Sequence, residues 1–184
     1  MERPNPRERS DPYGSRFERQ HSMILAYAVP VASNVVASIL PIFAIATALP
    51  IVPPLGFIVF LSWRMVRPGL LPVWAGVPFG FVDDLFNGQP FGFAILFWSL
   101  AMLALEAIEN WFPWRSFALD WITAAMIIVL YIFGSIIMSG AVLSGPLFAA
   151  AVPQLVLSIL SVPVAARIVA SLDRVRLRRW RIAR

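Results

Sequence analysis

The residues with most chemical potential lie in the stretch Gly80-Phe81-Val82-Asp83-Asp84-Leu85-Phe86-Asn87-Gly88-Gln89-Pro90-Phe91-Gly92. Two adjacent carboxylates end an apolar run, and an Asn-Gly pair and a Pro then turn the chain. Paired carboxylates can do acid–base or protease chemistry when they face each other. Neighbours on a helix of about 3.6 residues per turn point about 100° apart instead. No second span offers an obvious opposing carboxylate. His21 is the single histidine and there is no cysteine, so thiolate chemistry, disulfides and Cys-ligated metals are excluded. Ser139 and Ser144 have no histidine in the apolar segments to activate them. No catalytic set is recognisable, and neither a metal nor a cofactor is expected.

Three readings of Asp83 and Asp84 follow from position. Acids within a membrane segment are functional suspects. At the end of a segment they can simply face water while Asn87-Gly88 makes the turn, and position favours this for the pair. Between the two lies a structural role, in which a carboxylate accepts from amides left unpaired at a broken helix end. That role is the one expected of Asp84. Farther along, Glu106 and Glu109 stand one helical turn apart and lead into Trp111 and Trp114. Charge beside aromatics marks an interface belt, and exposed Trp beside charge also suits a partner surface.

The elements that position these residues are membrane helices. Of 184 residues, 59% are hydrophobic and 14% charged, against about 45–50% and about 25% in soluble domains. Mean hydropathy is +0.77. Residues 1–22 form an Arg-rich tail with three Pro and no apolar period, expected to be disordered. Apolar runs follow at Met23–Leu49, Ile51–Trp63, Leu70–Val82, Phe91–Leu105, Ala118–Met138 and Leu147–Ala166. The first exceeds a signal peptide's apolar core despite the Ala44-Ile45-Ala46 tripeptide. The second and third are short and broken by Pro53, Pro54, Gly56, Pro72, Gly76, Pro78 and Gly80. Backbone groups freed by such breaks need partners inside the protein, so these two segments should lie against other helices. Small residues recur at Ala32, Ser33, Ala37 and Ser38, at Gly134 and Ser135, and at Ser158 and Ser161, where they permit close helix approach.

All 15 basic residues are arginine, and the net charge is +5. With six spans and a cytoplasmic amino terminus, every arginine falls inside: the amino tail, Arg64 and Arg67, Arg115, and the chain from Arg167 onward. An odd count would strand an Arg-rich tail outside. Four spans result if the two short runs form one re-entrant hairpin. The expected organisation is a tail at 1–22, an all-α membrane domain of about six helices at 23–166, and a basic amphipathic tail at 167–184, with both termini cytoplasmic. In the last, Arg174, Arg176, Arg178, Arg179, Arg181 and Arg184 alternate with apolar residues and suit contact with anionic lipid. The tail contains no nucleic-acid-binding module.

Its layout and the Gly80–Gly92 stretch give this chain a resemblance to the bacterial rod shape-determining protein MreD family. The matching positions are Asp84, Gly88, Pro90 and Gly92, an acid followed by a small-residue turn. The resemblance implies a non-enzymatic inner-membrane component of the cell-elongation machinery. It would bind MreC and work with the MreB filament, a SEDS glycosyltransferase and a class B penicillin-binding protein. The family is also similar in fold to the substrate-binding subunits of energy-coupling-factor vitamin transporters. That similarity supplies a second reading, although Asn34, Asp83, Asp84, Asn87, Gln89 and Gln154 are few and the sequence does not bring them together. The topology is checked by a periplasm-only reporter fused after Arg184, which should be silent; activity there would overturn the even-span reading.

Overall fold

A computed structural model describes residues 23–45, 52–111, 116–140 and 144–176. The expected amino tail, Trp114, and Arg178, Arg179, Arg181 and Arg184 lie outside the described residues. Six α-helices follow in order: α1 (Met23–Ile45), α2 (Leu55–Val66), α3 (Gly76–Phe86), α4 (Phe93–Trp111), α5 (Phe117–Met138) and α6 (Gly145–Arg176). A single 3₁₀ turn at Val73–Ala75 precedes α3. Helices α4, α5 and most of α6 are long and apolar enough to cross a membrane. Among the described residues the fold is all-helical, and the chain is a membrane protein.

Proline sets where the short helices start. Ile58 N–H bonds to the Pro54 carbonyl at 3.0 Å, so α2 begins directly after the Pro53-Pro54 pair. Pro78 falls in the first turn of α3, where its missing N–H has no partner to lose. The apolar run expected at Leu70–Val82 is therefore α-helical only from Gly76, after the 3₁₀ turn, and the helix continues past it to Phe86. At 12 and 11 residues, α2 and α3 are about 18 and 16 Å long, well short of a hydrocarbon core of about 30 Å.

A helix that is apolar on every side must be surrounded, and α2 is. Phe57, Ile58, Phe60, Leu61 and Trp63 are all buried, although they point in every direction around its axis. Helices α1 and α6 pack along it. Phe60 meets Phe79 of α3 and Trp98 of α4 with ring centres 5.8 and 4.8 Å apart, and Phe57 stacks on Tyr131 of α5 at 4.4 Å. The Trp63 indole donates to Ser33 Oγ of α1 at 2.8 Å.

Helix α3 reaches its place by docking on α4 through Gly76 and Gly80, four residues apart on one face. A Cβ on Gly76 would lie 2.7 Å from the Trp98 and Ser99 backbone, and one on Gly80 would lie 2.7 Å from the Ala94 carbonyl and Ile95 Cα. Only glycine allows that backbone contact.

Helices α4 and α6 extend farthest past their apolar runs. Helix α4 continues to Trp111 and carries Glu106 and Glu109, and α6 runs unbroken through Arg167 to Arg176. At 32 residues, α6 is about 48 Å long and exceeds the bilayer core. Its Pro163 cannot donate to the Ile159 carbonyl one turn earlier. The Trp121 indole of α5 donates to that carbonyl instead, at 3.1 Å. Gln154 similarly reaches from α6 to the Val52 carbonyl at 2.9 Å.

Replacing Gly80 by Leu should separate α3 from α4. We expect a loss of about 1–3 kcal/mol, the usual cost of overpacking, read as a lower melting temperature in detergent. Gly88→Ala, at an open turn position with φ +62°, should cost less than Gly80→Leu.

Candidate functional site

The face of α3 defined by Gly76 and Gly80 continues, four residues on, to Asp84. That spacing carries the carboxylate to the start of α4. Its oxygens accept from the amides of Gly92 (3.0 Å), Ala94 (2.8 Å) and Ile95 (3.2 Å). The Pro90 carbonyl takes the intervening Phe93 amide at 3.0 Å. The first-turn donors that a helix leaves orphaned are thus satisfied one by one. Gly92 has no side chain with which to cap α4, and its φ of +93° favours glycine. The cap comes from another helix, and at that site a negative charge also complements the helix dipole.

Asp83 leaves the same helix in a different direction and meets α1, α2 and α5. Its Oδ2 lies 3.4 Å from the Tyr131 hydroxyl, which is also 3.2 Å from Gln89 Oε1. Turning the Gln89 amide over would make it a donor to Tyr131 and leave the hydroxyl proton for Asp83. Ser38 and Asn87 are the other polar neighbours of Asp83, and neither completes a hydrogen bond of good geometry to Oδ1. That oxygen and Ser38 Oγ lie over Gly56 of α2, 2.8 and 2.2 Å from where a Cβ would stand. Aromatic rings wall the cluster: Phe57, Phe93 and Phe97 all pack on Tyr131.

The water-facing reading that position favoured for the carboxylate pair is therefore corrected, while the helix-end role expected of Asp84 matches the amides it accepts from. Asp83 is 1% exposed and Asp84 6%. Burial follows because α3 is pulled flush against α4 by its glycines, which carries both carboxylates inside the bundle. They diverge, one to a helix start and one to a tyrosine, and do not form a facing pair.

At the other end of α2 a second polar cluster forms. Arg64 is 3% exposed, and its Nη2 donates to Glu106 and, at 2.6 Å, to Glu109 of α4. Arg67 Nε donates to Asp173 of α6 at 2.7 Å. Glu106 and Glu109, read from sequence as an interface belt or partner surface, are engaged by a buried arginine, with Glu106 still 44% exposed. Trp111 stays exposed. Arg174 is exposed and donates to Ser171 at 3.1 Å, while Arg176 ends α6 and nothing is described of its side chain.

The sequence did not single out Tyr131 as the partner of Asp83, Arg64 as the partner of Glu106 and Glu109, or the Arg67–Asp173 pair. The four-residue spacing of Gly76, Gly80 and Asp84 was a signal for the α3 face. The long-range pairings left no local signal. Among the described residues no three His, Cys, Asp or Glu side chains stand together as a metal site.

The motif residues Gly80, Asp84, Gly88, Pro90 and Gly92 thus define one unit, a close helix contact, a trans-helix cap and a turn with φ of +62° at Gly88 and +93° at Gly92. The family model for the rod shape-determining protein MreD matches residues 18–171, which includes that unit and nearly all of the membrane region. The chain belongs to the MreD family. No curated protein and no solved structure matches it. Family membership makes it a cell-shape-related membrane protein.

Removing the Asp84 carboxylate would leave buried amides at the start of α4 unpaired, each costing about 1–3 kcal/mol. We expect Asp84→Ala to lower the melting temperature more than Asn87→Ala, whose side chain holds no helix start. Equal melting of the two variants would remove the cap from the account.

Proposed function

We propose that this MreD-family chain is a non-enzymatic scaffold of the cell-elongation complex in the bacterial inner membrane. In this reading it binds MreC and supports peptidoglycan synthesis at the lateral wall, alongside the MreB filament, a SEDS glycosyltransferase and a class B penicillin-binding protein. Family membership over residues 18–171 carries the reading. The packing agrees with it. Buried polar side chains at both ends of α2 are spent on internal hydrogen bonds and ion pairs, whereas α1 turns Val36, Leu40 and Phe43 outward at helical spacing. A helix face of that kind suits another protein's membrane segment.

The convergence of Asp83, Asn87, Ser38, Gln89 and Tyr131 favours a second reading, a substrate-binding subunit of an energy-coupling-factor vitamin transporter, because such a subunit needs polar groups gathered in one place. Here those groups meet one another directly and packed aromatic rings wall them in, which supports the scaffold role over a pocket.

Affinity capture of the tagged protein from native membranes, read by mass spectrometry for proteins and small molecules, separates the two. Recovery of MreC with the cell-wall synthases is expected. Reproducible absence of MreC under mild detergent contradicts the scaffold reading, and recovery of ATPase subunits with a bound vitamin establishes the transporter reading.

A further inference from the structure

A groove of about 370 Å³ opens at the arginine-rich end of the bundle, between the last turn of α2, the first turns of α5 and the second half of α6. Pockets that hold small ligands begin at about 300 Å³. Its floor is Val162, Ala166 and Ala170, one small or medium residue per turn of α6. One wall is Trp121, whose ring is held in place by its indole bond to Ile159. At its rim lie one cation, Arg167, and one anion, Asp120.

The groove therefore combines an apolar trough with a single charge of each sign. An acyl chain fits the trough, and the rim fits a headgroup with a phosphate for the Arg167 guanidinium and a cationic N–H donor for the Asp120 carboxylate. We propose that the groove binds one phosphatidylethanolamine molecule, its ammonium on Asp120, its phosphate on Arg167 and an acyl chain over Ala166 and Ala170. Asp120 already takes part in an interaction within the protein, and a carboxylate has lone pairs for further donors. Phosphatidylcholine has a cation that cannot donate a hydrogen bond. Phosphatidylglycerol has no cation. A basic surface selecting anionic lipid would rank these lipids differently, so headgroup preference is diagnostic.

The test is native mass spectrometry of the protein released from nanodiscs of equal phosphatidylethanolamine, phosphatidylglycerol and phosphatidylcholine. The wild-type chain should retain one phosphatidylethanolamine in preference to the others. Arg167→Gln should weaken that retention about tenfold, as expected for loss of a charge-assisted bond. Asp120→Asn should abolish the preference over phosphatidylcholine. Filling the groove with Ala166→Leu and Ala170→Leu together should remove the bound lipid. The Arg167 side chain is exposed, so that variant is informative even where the leucine pair fails to fold. Equal retention of the three lipids, preference for phosphatidylglycerol, or unchanged phosphatidylethanolamine binding in Arg167→Gln would each overturn the proposal. None of these outcomes bears on MreC capture, so this proposal and the scaffold reading fail separately.

Discussion

Backbone polar groups in apolar surroundings must find partners inside the protein, and the architecture is organised around that constraint. Chain breaks at proline and glycine create unpaired groups at several places, and a side chain from another helix answers at each place described above. Asp84 of α3 meets the amides at the start of α4, Trp121 of α5 meets the carbonyl that Pro163 frees in α6, and Gln154 of α6 meets the Val52 carbonyl before α2. These bonds join helices that apolar contact alone would leave free to slide, because lipid tails are as apolar as the side chains they would replace.

The same constraint explains how two short helices can live in the bundle. Helix α2 is closed on all sides by aromatic and aliphatic packing; near Gly56 it packs under Asp83 and Ser38, and at Arg64 it is held by ion pairs to Glu106 and Glu109. Breaking a buried charged pair costs more than losing its attraction, since the remaining charge is stranded. Such ends define where α2 sits along its neighbours. Helix α3 is fixed differently, by backbone contact at two glycines and by a carboxylate one turn farther on. Rigid elements of this sort suit a protein whose family work is shape determination.

Much of the layout was legible in the sequence because apolar runs and proline positions are local signals. Each of the six runs contains a helix among the described residues; the second lies inside the bundle, and the third lies against α4 with Val77, Phe81 and Leu85 left exposed. What escaped was pairing over long distances. Arg64 and Arg67 read as markers of membrane orientation because arginines in a short turn ordinarily mean that, yet acids on α4 and α6, dozens of residues away, accept from both. Position at the end of a run favoured a water-facing pair for Asp83 and Asp84, while a helix-end cap was expected of Asp84. Their burial depends on Gly76 and Gly80 touching α4, a contact that four-residue spacing hints at and only the fold establishes. The family resemblance rested on the span layout together with the Gly80–Gly92 turn, and the family match over residues 18–171 agrees with it.

The most direct measurement is amide hydrogen exchange at the start of α4 in the intact protein. If Asp84 caps that helix from α3, the amides of Gly92, Ala94 and Ile95 exchange slowly, with protection close to that of the α4 interior. Exchange at the rate of an open turn would mean that the first turn of α4 is hydrated, and it would contradict the account of how the bundle is held together.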